Sequence, residues 1–499
     1  MNANDAARDN RRPMSGAAVV IAEPPTTPRV GQSGDVRSRL SRFVASCLRT
    51  NTLPAVRLGR ADWFYLVGVF LLTRLLTFFV ALLGADFFPQ YTGANGGSFA
   101  AQPSAANTID RWTRLYVNFD SGWYLGISHH YTTPANGPNW LAEWAFFPLY
   151  PWTLHVVSVV LGVIPGLGQL LNVDILAGVL VSHAACFGAI VLLYRLTLGE
   201  LSSAAARRAA LYLLIFPGSF FLTAVYPEGL FLLLTVAAFY YARRRQWALA
   251  GLLAAAILLT RAQGALILGP IGLEFVAYRS TLARPWGRGV LKALWLLIPT
   301  SFALGAYALY SHALTGYWLA FETSETVVWG HRLTPFPYPL IRFLLAPTLG
   351  SPASYDFRSV NFVGASIFLL VVVVAWRRLP PSYAVWLGLS LLLPLSANGS
   401  HLFSMVRFLT PAFPAFVALA AWSLNQRWAP NAQSQPTAEA MEGEQAPTHQ
   451  SAPTTSPASW RWRGGALAVD LRDRIIVTPS LLLLALFVLF FVTGIHAGA

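Results

Sequence analysis

Residues 475–492 read IIVTPSLLLLALFVLFFV, a run with no charged side chain. At about 1.5 Å of rise per residue, a helix of this length matches a hydrocarbon core about 30 Å thick. Lipid offers no hydrogen-bond partner, so such a run must satisfy its backbone internally as a helix. The whole chain repeats the pattern. Of its 499 residues 55% are hydrophobic and 11% charged, against about 25% charged in soluble proteins. Most of this chain therefore does not face water. Its formal charge of +14 does not mark a nucleic-acid binder. The Arg residues sit in the N-terminal tail and in short loops between apolar runs, where they set topology and meet anionic headgroups. Cys47 and Cys186 build neither a disulfide framework nor zinc spacing. No ligand cluster in the sequence demands a metal, and no cofactor is expected, although a divalent ion is not excluded.

Working outward, further apolar spans fall at about 61–84, 174–195, 209–223, 228–242, 246–261, 264–278, 293–310, 359–376, 383–397 and 402–424. Several are short for a full crossing, which predicts broken or tilted helices. The Gly- and Pro-containing stretch 148–171 reads as a span, a hairpin or a surface helix. Residues 1–56 read as a disordered basic cytoplasmic tail without a cleavable signal. Residues 57–424 form the membrane core, 425–474 a low-complexity cytoplasmic linker, and 475–499 a final membrane helix. The expected fold is all-α and polytopic, with about 11–13 transmembrane helices and a helical first outer loop.

The basic segments include Arg57 and Arg60, Arg207–Arg208, Arg243–Arg245, the 279–292 loop, Arg377–Arg378 and Arg427. All fall on one side if 148–171 makes no net crossing, and that side is cytoplasmic. The opposite side then receives the long loops 85–147 and 311–358, and the turns near 224–228, 261–264 and 397–401. Loops of that length are functional or disordered. Here the first is dense in aromatic residues from 109 onward.

On that outer side four parts of the chain supply polar groups. Asn118–Phe119–Asp120–Ser121–Gly122–Trp123–Tyr124 precedes His129, His130 and Tyr131. Asp120 is placed either to remove a proton from a sugar hydroxyl or to cap the helix that follows. Trp123, Tyr124, His129, His130 and Tyr131 are candidates for the substrate pocket. Glu228 stands at a turn between short helices, as a functional ionisable group or a carboxylate favoured by the helix dipole. Arg261 and Gln263 interrupt an apolar run. Arg407, with His401 nearby, lies deeper than a snorkelling anchor requires. Its guanidinium suits a phosphate or a salt bridge to Asp120 or Glu228. Arg261 has the same two readings, and Gln263 and Glu228 complete the expected pocket.

The order of these segments resembles the Pig-V-type (GPI mannosyltransferase II) family of the GT-C superfamily. The resemblance rests on Phe119–Ile127 with Tyr131, Phe146–Pro151, Phe216–Phe231, Thr260–Gly264 and Arg407–Pro414. It spans most of the core. There are departures: Asn118–Phe119 replaces the Arg or Trp expected before the aspartate, and His130 a glycine. Phe216 stands for Asn, Pro227 for Ser or Thr, and Gln263 for Asn. The resemblance implies a GT-C-like bundle and an inverting transferase, a mannosyltransferase. Asp120 would be its catalytic acidic residue. The implied donor is a polyprenyl-phosphate sugar and the acceptor a lipid or an envelope glycan. It implies a bacterial relative in a plasma membrane, with the site facing away from the cytoplasm and no nucleic-acid partner. A lipid-linked-sugar flippase would show symmetric repeats, and none is visible. A lipid-glycan ligase would place its key groups in the 311–358 loop, which holds Glu322, Glu325, His331 and Arg332.

Overall fold

The helix Arg60–Phe87 (α1) shows how this chain inverts the soluble pattern. Its buried stripe is Leu66, Thr73, Arg74, Thr77, Ala81 and Gly84, spaced near the helical period, while Leu71, Leu72, Leu75 and Phe79 lie exposed. Polar and small residues face the protein and large apolar ones face outward, as packing within lipid requires. In the computed structural model, residues 52–88, 110–137, 140–280, 286–345, 358–397, 402, 404–428 and 459–493 are described. They are helical, and no strand occurs among them.

After α1 come Ser121–His129 (α2), Leu149–Gly162 (α3), Val173–Glu200 (α4), Ser203–Ile215 (α5), Glu228–Arg243 (α6), Trp247–Thr260 (α7) and Leu268–Ser280 (α8). Then follow Trp286–Thr315 (α9), Arg358–Arg378 (α10), Pro381–Leu392 (α11), Met405–Leu409 (α12), Pro414–Ser423 (α13) and Ser459–Thr493 (α14). Among the described residues, five segments are long and apolar enough to cross a membrane: Arg60–Phe87, Val173–Glu200, Val290–Thr315, Ser359–Arg378 and Leu471–Thr493. Shorter apolar helices of 10–17 residues fill the bundle between them. The expected all-α polytopic fold is what the chain adopts, and it is an integral membrane protein.

Two predicted spans are broken by proline. The 209–223 run becomes α5 followed by a 3-10 turn, Pro217–Leu222, and the 402–424 run becomes α12 and α13. Proline explains both breaks, since Pro217 and Pro414 each sit in the first turn of the new element, where a missing N–H costs nothing. The final helix begins at Ser459, inside the stretch read as linker, so the 425–474 boundary is corrected. Hydropathy missed its first turns because Arg461, Arg463, Asp470, Arg472, Asp473 and Arg474 mask the helical pattern. The tail expected over 1–56 lies outside the described residues as far as 51. From there Leu53 is buried, and its amide donates to the Arg243 carbonyl (2.9 Å).

The 148–171 stretch makes a hairpin at one end of the bundle. Tyr150 meets Ser182 (2.9 Å) and Ser158 meets Asp174. Hence α3 runs antiparallel to the first part of α4 only, and the chain turns back at that end of the bundle. With that settled, the basic segments gather at the other end. There Tyr65 donates to the Arg207 carbonyl (2.7 Å), Arg208 forks onto Asp473 (3.0 and 2.7 Å), and Arg378 donates to the Gln426 carbonyl (2.8 Å). Deeper at this end Arg243 is buried. It grips Glu200 through Nε (2.7 Å) and Nη2 (3.0 Å) and Glu274 through Nη1 (3.1 Å). Close backbone packing recurs in the core: a Cβ on Gly251 of α7 would stand 2.2 Å from the Trp295 carbonyl of α9. Only glycine permits that approach.

Candidate active site

At the end opposite Arg243, four charged side chains from distant parts of the chain meet. Arg407 donates through Nη1 to Asp120 Oδ2 (2.5 Å) and through Nε to Glu228 Oε1 (2.7 Å). Arg261 donates to the same Glu228 oxygen. Glu228 is fully buried, Arg407 and Arg261 are largely so, and Asp120 keeps 21% of its side chain exposed. Two carboxylates face two guanidiniums, which balances the charge where water is scarce. The other Glu228 oxygen, Oε2, is buried and has no hydrogen-bond partner among the described residues.

Each residue owes its position to a break in a helix. Asp120 stands just before α2, yet its carboxylate does not cap that helix; it turns to Arg407. Of its two sequence readings, capping is excluded. Glu228 is the first residue of α6, so the dipole reading and the ion pair hold together. Arg261 is extended between α7 and a 3-10 turn, Ala262–Ile267, and Gln263 is buried in that turn. Arg407 lies on the five-residue α12. Of its two readings, the structure shows the salt bridge.

Aromatic rings wall the charges. Arg407 lies over the ring of Tyr226 (4.7 Å) and near Phe221 (5.8 Å), and Arg261 lies over Phe408 (5.0 Å). Such contacts stabilise cations where solvent is absent. The Tyr226 hydroxyl accepts from the Asp120 amide (3.1 Å) and donates to the Asn118 carbonyl (3.0 Å). It fixes the backbone around Phe119, which has φ 48°. A left-handed residue other than glycine costs about 1–3 kcal/mol and persists only where its surroundings hold it. The neighbouring turn is held by Arg74. This guanidinium donates to the carbonyls of Leu214 (2.7 Å) and Ser219 (2.9 Å).

The other predicted pocket residues divide. Tyr124 is buried, edge-on to Tyr150 and 6.1 Å from the Tyr226 ring. Trp123 stacks on Phe146 (5.9 Å) and meets Trp329 edge-on (6.2 Å). Tyr131 is a packing residue instead: its hydroxyl donates to the Phe146 carbonyl (2.5 Å) and its ring stacks on Trp144 (4.5 Å). Burial pushes its phenol well above the usual range, which keeps it a neutral donor. His129 pairs with Asp174 (3.1 Å) at the surface, and His130 is exposed at the end of α2. These three do not join the charged cluster. In the later loop, Glu325 pairs with His331, and Glu322 and Arg332 are exposed. His401 lies outside the described residues, as do Cys47, 89–109 and 346–357.

Sequence reading missed Arg74, Tyr226 and Asn118. Arg74 carried a signal, an ionisable residue within an apolar run. Tyr226 and Asn118 carried none, because both act through backbone atoms far along the chain.

Among solved structures, the chain is similar to ArnT from Cupriavidus metallidurans bound to undecaprenyl phosphate. That likeness has 14% identity and a TM-score of 0.44, and covers 88% of this chain and 77% of that one. It is also similar to an oligosaccharyltransferase of Archaeoglobus fulgidus, at 12% identity and a TM-score of 0.41, covering 85% of this chain and 55% of that one. No curated protein matches it. The Mannosyltransferase (PIG-V) family matches residues 64–333, which contain Asp120, Glu228 and Arg261. With more than half of its 499 residues inside that match, and the acidic and basic groups of its motifs assembled in one place, the chain belongs to the PIG-V mannosyltransferase family and is a membrane glycosyltransferase.

Proposed function

We propose that the protein is an inverting mannosyltransferase that takes its hexose from a polyprenyl-phosphate donor. The acceptor is a lipid or an envelope glycan, and the site faces away from the cytoplasm. The observation that carries this reading is the ion cluster of Asp120, Glu228, Arg261 and Arg407, at the end of the bundle opposite the basic segments. Asp120 takes the proton from the acceptor hydroxyl while that oxygen attacks the anomeric carbon. The bond from that carbon to the phosphate oxygen breaks, and the polyprenyl phosphate leaves with the electron pair and one more negative charge. Arg407 and Arg261 meet that charge through the edges that do not face the carboxylates. The exposed part of the Asp120 carboxylate supports its role as base, and the rings of Trp123 and Tyr124 suit a sugar face. The donor carries its own leaving group, so the reading requires no cofactor.

The test is transfer by purified protein, comparing polyprenyl-phosphate mannose, glucose and arabinose with nucleotide sugars. Transfer from the lipid-linked mannose is expected, and Asp120→Asn should lower kcat by about 10²–10⁴-fold, the usual contribution of a positioned base. Transfer from a nucleotide sugar alone would falsify the donor assignment. Wild-type turnover by a folded Asp120→Asn variant would remove Asp120 from the mechanism.

A further inference from the structure

Helix α14 lies beyond the family match, which ends at residue 333, and by sequence it is an anchor behind a linker. Its last turn nevertheless touches the catalytic loop. The group it presents there is the Phe491 backbone carbonyl. Asn118 Nδ2 donates to it at 2.7 Å, in a buried setting. The other end of the same amide, Asn118 Oδ1, accepts from the Phe119 amide (2.9 Å). The Phe491 ring packs against Phe220 (4.7 Å between centroids), Phe221 (5.6 Å), Phe119 (5.9 Å) and Tyr226 (6.0 Å). Tyr226 in turn holds Asp120 N and Asn118 O.

From this we infer that the C-terminal helix is a working part of the active site: Asn118 and Phe491 are positioning residues that hold Asp120 in register with Arg407. The inference rests on the reading of Asp120 as the base. Asn118–Phe119 stands where the resemblance leads one to expect Arg or Trp before the aspartate, and the departure now has a use. A carboxamide carries a donor and an acceptor on one short side chain. It therefore serves the Phe491 carbonyl and the strained Phe119 amide together. Among the described residues Arg407 holds the Asp120 carboxylate and Tyr226 its amide, and Phe119 needs external support to keep its positive φ.

The experiment compares Asn118→Ala, Phe491→Leu and the double variant in the full chain, with Asp473→Asn, about 27 Å back along α14 from Phe491, as control. Initial rates with polyprenyl-phosphate mannose and melting temperatures are measured for all. Each single variant is expected to lower kcat, by up to about 10²-fold, with KM for donor and acceptor unchanged. The double variant should fall by less than the product of the two singles, because the Asn118 amide and the Phe491 ring support the same 118–120 backbone through neighbouring contacts. Asp473→Asn should lower the melting temperature and leave kcat intact. Phe491→Leu keeps most of the apolar volume, so a poorly folding Asn118→Ala still leaves a readable variant. Wild-type kcat in the two singles beside an inactive Asp120→Asn overturns the proposal alone. So does a fall in kcat that Asp473→Asn reproduces at equal melting temperature. Full activity in Asp120→Asn overturns the base reading and this proposal with it.

Discussion

Arg407 is the residue on which the cluster turns, because it alone reaches both carboxylates. Lysine keeps the charge but not the fork, so Arg407→Lys should lose one contact and about 10²–10³-fold in kcat, the scale seen when one donor to a developing negative charge is removed. Glu228 behaves differently. Its removal leaves buried Arg261 without its carboxylate and Arg407 with Asp120 alone, so Glu228→Ala is expected to destabilise the protein by about 3–5 kcal/mol, read as an early thermal transition in detergent. Asp120→Asn should leave that transition near the wild-type position, since Arg407 keeps Glu228. An equal melting loss in both variants would refute this division of roles. The four charges were legible in the sequence because Glu228, Arg261 and Arg407 interrupt apolar runs or stand at their outer ends, and Asp120 lies in the aromatic-rich first outer loop. Arg243 was read as a topology marker, and nothing local distinguishes an Arg that snorkels from one sealed between Glu200 and Glu274. His129 and Tyr131 were over-read, since proximity in sequence to Asp120 says nothing about which face of a short helix meets the site.

Among elements, the Pro217–Leu222 turn deserves the closest test. A Cβ on Gly218 would stand 2.7 Å from the Val406 carbonyl and 2.1 Å from Thr410 Oγ1, so α12 and this turn touch backbone to backbone. Gly218→Ala should wedge Arg407 away from Glu228 and lower transfer, whereas alanine at the open Gly68 position of α1, where nothing lies within 4 Å, should be neutral in the same assay. Equal activity in both variants would show that the contact does not position Arg407. Long apolar runs were readable as helices. Their breaks were readable only in part, because proline marks where a helix restarts but not where the new element points. The start of α14 was unreadable for the opposite reason, as charges hid a helix that continues into the apolar run.

For the whole molecule, the two ends carry different chemistry, and sidedness can be measured directly. In a Cys47→Ser, Cys186→Ala background, a cysteine at exposed Asn136 should react with a membrane-impermeant maleimide in intact cells. One at exposed Gln246 should react only after permeabilisation, and the reverse pattern would invert the proposed orientation. The arrangement of α6 also bears on how the protein is made. This helix begins on Glu228 and ends on Arg243, about 22 Å apart at helical rise, and both charges are buried. When α6 leaves the ribosome, Glu200 is already present for Arg243, but Glu228 has no counterion. Arg261 emerges 33 residues later and Arg407 only 179 residues later. The nascent chain therefore carries a provisional ion pair, Arg261 with Glu228, that can shield the acidic end of α6 until α12 arrives. On that view Arg261 serves biogenesis before it serves chemistry, and its loss would first be felt as chains that fail to mature.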